Sequence, residues 1–221
     1  MKQGFKRRRF LLLLIVAGVI CAEAQPFRED ILAFKKQDSL HPPQGNAILF
    51  VGSSSFTKWT DVQNYFPGFL IINRGFGGSS LPDLIRYAND VIISYHPRQV
   101  VIYCGDNDLA ASDTVSSATV VSRFKALFAL IRLQLPGEPI AFISIKPSPS
   151  RAKLMPKMAE ANRAIKQFLA GQKNTAFIDV YHLMLDKDGK PIDEIFVGDK
   201  LHMNSKGYAI WQKAIKPFLL Q

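Results

Sequence analysis

Cysteine is scarce in this 221-residue chain, which has only Cys21 and Cys104. Cys21 lies in an N-terminal stretch expected to be removed, so the remainder keeps a single thiol. One thiol cannot close an internal disulfide, and its apolar setting, "VVIYC", marks a small buried hydrophobe. No Cys/His cluster has zinc-ligand spacing, so no metal is expected. Internal repeats and low-complexity tracts are missing too. Beyond residue 24 there is no run of 18 apolar residues, so no stable membrane span is expected there. The cations form no stripe, which argues against nucleic acid as a partner.

What is present begins with a leader. Lys2, Lys6, Arg7, Arg8 and Arg9 precede "LLLLIVAGVI" and then "CAEA". A basic segment, a short apolar run and an A-x-A pattern at 22–24 read as a secretory signal peptide over residues 1–24. Cleavage is expected near Ala24-Gln25, which would export residues 25–221 to the periplasm or beyond the cell. The apolar run is short for an uncleaved anchor. Bulky Ile20 argues against a lipid-modified Cys21. The formal charge of +10 falls to +6 once the five cations and Glu23 of the leader are removed.

The remaining length suits one domain. Five short runs rich in Ile, Val and Phe, at 47–51, 69–73, 99–104, 139–145 and 175–180, are almost continuously apolar. Strands of a parallel sheet covered on both faces look like this. Helical patterns alternate with them, including one over 81–95 and one over 205–220 with Ser205 as its expected N-cap. The alternation predicts an α/β fold, a doubly wound three-layer α/β/α sandwich around a five-stranded parallel sheet of flavodoxin-like order. Ligands in such sheets sit beyond the carboxyl ends of the strands.

Four loops fall at that edge: Gly52-Ser53-Ser54-Ser55, "NRGFGGSS" (73–80), "GDNDLA" (105–110) and "GDKLHMNSKGY" (198–208). Together they supply a hydroxyl, glycine-rich turns, a primary amide, and an Asp and a His three residues apart. These are the parts of acyl transfer. A serine hydroxyl is a poor nucleophile until an imidazole takes its proton, and a carboxylate must hold that imidazole in the right tautomer. The oxyanion of the tetrahedral intermediate needs preorganised donors, which backbone N–H groups and an amide can provide.

The four blocks, in this order, resemble those of the SGNH hydrolases, the GDSL-type esterases and lipases. The resemblance runs from about Ile48 to Trp211. It implies Ser54 as nucleophile, Asp199 and His202 as its partners, and Ser54, Gly78 and Asn107 as oxyanion-hole residues. Gly78 is chosen over Gly75 and Gly77 because it lies nearest the next helix. The family's first block reads Gly-Asp-Ser, and here Ser53 stands in place of the Asp. A turn slipped by one residue would put Ser53 or Ser55 at the nucleophile position. The G-x-S-x-G elbow of α/β-hydrolases does not fit, because Phe56 stands where its second glycine would be.

The expected activity is therefore hydrolysis of carboxylic esters with short, foremost acetyl, acyl groups on a small molecule or carbohydrate, without cofactor. An acyltransferase or thioesterase using the same groups is the alternative within enzymes, and a non-catalytic carbohydrate-binding protein the alternative outside them. Asp106 and Asp108 are expected to bind local N–H groups. His41, His96 and His182 read as structural or solvated. Trp59, Phe76 and Phe196 read as packing residues that lie close enough to the site for a substrate role.

Overall fold

The computed structural model describes residues 25–221; the expected signal peptide, its cleavage point and Cys21 lie outside them. In chain order the elements are α1 (Arg28–Leu40), β1 (Ile48–Gly52), α2 (Ser54–Thr57), α3 (Val62–Tyr65), β2 (Ile71–Gly75), α4 (Leu81–Arg86) and α5 (Ala88–Val91). There follow β3 (Gln99–Tyr103), α6 (Asp106–Ala111), α7 (Ser117–Gln134), β4 (Ile140–Ile143), α8 (Met155–Ala170), β5 (Thr175–Ile178) and α9 (Ser205–Ile215). All strand pairings are parallel and the order is β2-β1-β3-β4-β5, the flavodoxin-like order.

Successive strand residues point to opposite faces, so the apolar runs feed two cores. Leu49, Val51, Val100, Ile102 and Phe142 pack with α4, α5, α7 and α8. Ile48, Phe50, Val101, Tyr103 and Ile143 pack with α2, α3 and α9. Both faces are covered, and this is why the runs show no polar alternation.

Three boundaries differ from the sequence-based reading. The second strand runs two residues later than 69–73, through Arg74 and Gly75. Gln63 holds the turn before it, donating to the Phe69 carbonyl at 2.7 Å and accepting from the Ile71 N–H at 3.1 Å. Arg74 tolerates burial in a strand because its guanidinium pairs with Asp38 on α1 and donates to the Tyr95 hydroxyl at 2.6 Å. The helix expected over 81–95 breaks at Tyr87, where φ is −102° and ψ is 13°. Tyr87 is tied outside the helix, its hydroxyl donating to the Pro26 carbonyl at 2.7 Å. The last helix is capped by Asn204 rather than Ser205, since Asn204 Oδ1 accepts from the N–H groups of Lys206 (2.9 Å) and Gly207 (3.3 Å).

Candidate active site

β1 ends in a turn that only glycine allows. Gly52 has φ of 152°, and a Cβ there would lie 1.8 Å from the Tyr103 carbonyl oxygen. The Ser53 N–H donates to that carbonyl at 3.2 Å, and the chain turns straight into α2, whose first residue is Ser54. A residue at that position has no intrahelical acceptor for its N–H, which leaves the Ser54 amide available. The turn aims the three hydroxyls differently. Ser53 and Ser55 are buried, and Ser53 Oγ has no hydrogen-bond partner among the described residues. Ser54 is half-buried and meets an imidazole, so the register slip considered above does not occur.

The floor beneath this turn is aromatic. Phe56 packs on Phe50 and meets Trp211 edge-on, with centroids 5.0 and 6.0 Å away. Trp59 stacks on Tyr208 at 4.7 Å, and the Tyr208 hydroxyl donates to the Ser55 carbonyl at 3.0 Å. Pairs of this kind fix geometry as well as burying area. Trp59, Phe76 and Phe196 are all buried, so they act in packing, and the substrate role left open for them is not supported.

The segment after Asp199 wraps around its carboxylate. Asp199 Oδ1 accepts from the N–H groups of Leu201 and His202, both at 2.9 Å, and Oδ2 lies 2.6 Å from His202 Nδ1. The His202 side chain and backbone, and the Leu201 N–H, hold this carboxyl well below the usual carboxylate range. A carboxylate only accepts, so the proton at this contact sits on Nδ1, and Nε2 carries a lone pair. Nε2 lies 2.9 Å from Ser54 Oγ. Ser54, His202 and Asp199 thus stand in one hydrogen-bonded line, although 148 positions separate the first two.

Beside the hydroxyl are N–H groups. The Gly75 N–H is engaged by Asn73 Oδ1 at 3.0 Å. Those of Gly77 and Gly78 have no protein acceptor among the described residues. Gly78 has φ of 87°, a left-handed conformation that favours glycine. Asn107, on α6, donates from Nδ2 to the Ser79 carbonyl at 2.9 Å. An amide nitrogen has two protons, so one remains to donate elsewhere. These groups can hold an oxyanion next to a serine hydroxyl that faces a base.

A fifth loop, after β4, escaped the sequence reading. Lys146 Nζ donates to the Leu201 carbonyl at 2.8 Å, and the Ser150 N–H donates to the Lys200 carbonyl at 3.1 Å. Both brace the segment that carries Asp199 and His202. Arg151 donates to Asn107 Oδ1 and to Asp106 Oδ2, each at 2.8 Å. The available signal was topological, since every loop after a parallel strand opens on the same edge. The expectation that Asp106 and Asp108 serve local N–H groups is corrected. Asp106 pairs with Arg151, while Asp108 accepts from the Leu81 N–H at 2.9 Å and from Arg123 at 2.8 Å. Partners this far apart in the chain are invisible to local patterns.

His182 also has an unforeseen partner. Its Nδ1 lies 2.7 Å from Asp179 Oδ2, repeating the Asp-x-x-His arrangement, but no hydroxyl meets its other nitrogen among the described residues. No group of three or more His, Cys, Asp or Glu side chains among the described residues is placed to hold a metal ion.

Comparison with known proteins agrees with this geometry. A family model described as GDSL-like Lipase/Acylhydrolase matches residues 46–210. By sequence, no curated protein matches. Among solved structures, a GDSL-like lipase from Bacteroides thetaiotaomicron superposes with a TM-score of 0.73 at 18% identity, over 85% of this chain and 96% of its own. A catalytic mutant of Axe2, an acetylxylan esterase from Geobacillus stearothermophilus, gives 0.61 at 17% identity, over 78% and 94%. The lipase/acylhydrolase from Enterococcus faecalis gives 0.57 at 20% identity, over 79% and 97%. These likenesses establish the shared fold. The family match spans most of the chain, and the protein therefore belongs to the GDSL-like lipase/acylhydrolase family of ester-bond hydrolases.

Proposed function

We propose that the protein is an exported serine esterase that removes short acyl groups, foremost acetyl, from a small-molecule or carbohydrate ester. The observation that carries this reading is the unbroken line from Asp199 through His202 to Ser54, at 2.6 and 2.9 Å. His202 Nε2 takes the Ser54 proton as Oγ attacks the ester carbonyl carbon. The oxyanion is held by the N–H groups of Ser54 and Gly78 and the free proton of the Asn107 amide. Collapse expels the alcohol, which leaves with the proton from His202, and Ser54 keeps the acyl group. Water then gives a proton to the same imidazole and attacks the acyl carbon; the acid departs and Ser54 recovers its proton.

Acetyl specificity draws support from the fold shared with an acetylxylan esterase, and export from the basic, apolar and A-x-A succession of residues 1–24. The test is turnover of p-nitrophenyl esters of increasing chain length and of acetylated sugars by residues 25–221. Rate should be highest with acetyl, and Ser54→Ala should lower kcat by roughly 10⁴- to 10⁶-fold. Undiminished activity in that variant would reject the mechanism. A rate that climbs with acyl length would reject the acetyl assignment. Fractionation of cells expressing the full chain should find the activity outside the cytoplasm.

A further inference from the structure

The geometry points to Arg151 as a positioning residue for the oxyanion hole, one that fixes which end of the Asn107 amide faces the developing charge. This rests on the esterase reading, in which Asn107 donates to the oxyanion. A primary amide has two ends of nearly the same shape and opposite hydrogen-bonding character. Turned by 180°, Asn107 would present Oδ1, an acceptor, to a negative oxygen and would repel it.

Two neighbours decide the orientation, and their chemistry leaves no freedom. The Ser79 carbonyl can only accept, and it takes one proton of Nδ2 at 2.9 Å. The Arg151 guanidinium can only donate, and its Nη2 meets Oδ1 at 2.8 Å. The second Nδ2 proton is then held in the amide plane with one direction left. Arg151 is itself fixed, because Nη1 donates to Asp106 Oδ2 at 2.8 Å. Asp106 and Asn107 are adjacent on the first turn of α6, so the planar fork of the guanidinium grips two successive side chains. The Arg151 side chain is 16% exposed and that of Asp106 is 5% exposed, so water competes little for either bond. The carboxylate also balances the guanidinium charge, which makes orientation the main contribution of Arg151 to the site.

A lysine cannot reproduce the fork. Its ammonium is a point donor that keeps Asp106 or Asn107 but not the same pair of angles. Loss of one oxyanion donor costs about 10²- to 10³-fold in kcat, and misplacement of such a group up to about 10²-fold. Arg151→Met should therefore lower kcat by about 10- to 100-fold with KM changed less than about threefold. Arg151→Lys should fall between that variant and the wild type. Free guanidinium added to Arg151→Ala should restore part of the rate. The decisive measurement is a double-mutant cycle: in an Asn107→Ala background, Arg151→Met should cost almost nothing more.

The full loss persisting in that background would overturn the inference, as would a rise in KM with kcat intact, which would mark Arg151 as a substrate contact. Unchanged kinetics in Arg151→Met would overturn it equally. A readout independent of turnover separates this inference from the esterase reading. The Asn107 side-chain ¹⁵N–¹H signals, assigned with Asn107→Ala, should shift and exchange faster with solvent in Arg151→Lys. If they match the wild type, Arg151 does not orient the amide, whatever the activity of the protein.

Discussion

Asp199→Asn should be more damaging than Asp199→Ala. Asp199 Oδ1 accepts two backbone N–H groups at 2.9 Å, and Oδ2 faces His202 Nδ1 at 2.6 Å. An asparagine has one acceptor end, and the two backbone donors claim it. Its NH₂ is therefore driven toward Nδ1 and donates to it. The imidazole must then carry its proton on Nε2, the nitrogen that lies 2.9 Å from Ser54 Oγ. A base that already holds a proton at the reacting nitrogen takes no other. Inverting the tautomer in this way costs about 10⁴-fold in kcat in serine proteases, or about 5.4 kcal/mol at 1.36 kcal/mol per decade. In Asp199→Ala the backbone donors turn to water, since the carboxylate side chain is already 47% exposed. Neither tautomer is then enforced, and a fraction of the imidazole still presents its lone pair to Ser54. The alanine variant should retain about ten times or more the kcat of the asparagine variant, measured with p-nitrophenyl acetate near pH 8 on folded protein. An asparagine variant within tenfold of the wild type, or one more active than the alanine variant, would refute the tautomer argument.

Other expectations follow from the same contacts. Burial lowers the Lys146 pKa to about 8, partly offset by the nearby carboxylates of Asp106 and Asp199. An unfolded lysine titrates near about 10.4, so between these values the unfolded chain binds more protons and this group makes stability rise with pH. Thermal melts from pH 7.5 to 10.5 should show wild type gaining on Lys146→Met by about 3 kcal/mol over that window; a constant difference would contradict the assignment. Gly52→Ala should yield insoluble protein or lose more than about 4 kcal/mol of stability, because the new methyl would meet the Tyr103 carbonyl at 1.8 Å. A soluble variant melting like the wild type would show that the turn can open. Incubation with EDTA should leave esterase turnover unchanged, since each proposed step uses only Ser54, His202, Asp199 and the oxyanion donors; a loss restored by added metal would require a different mechanism.

Much of this molecule is written locally. The strand at 99–103 reads correctly because its apolar run is bounded on both sides and buried on both faces. Ser54, His202 and Asp199 are legible because each lies in a short block tied to a strand end or a helix start. Arg74, Lys146 and Arg151 were not legible. A buried cation is tolerated only through its partners, and Asp38, Leu201 and Asn107 stand 36, 55 and 44 positions away.

The amino-acid order by itself determined the sheet, its parallel strands, the two covered faces and the edge where chemistry could gather, because hydrophobic period and turn residues act over a few positions. Tertiary structure alone decided which of three neighbouring serines meets the imidazole, which glycine amides stay unengaged and how the Asn107 amide is turned. Those choices depend on angles and on distances of about 3 Å between groups from different strands, and only the closed fold sets them.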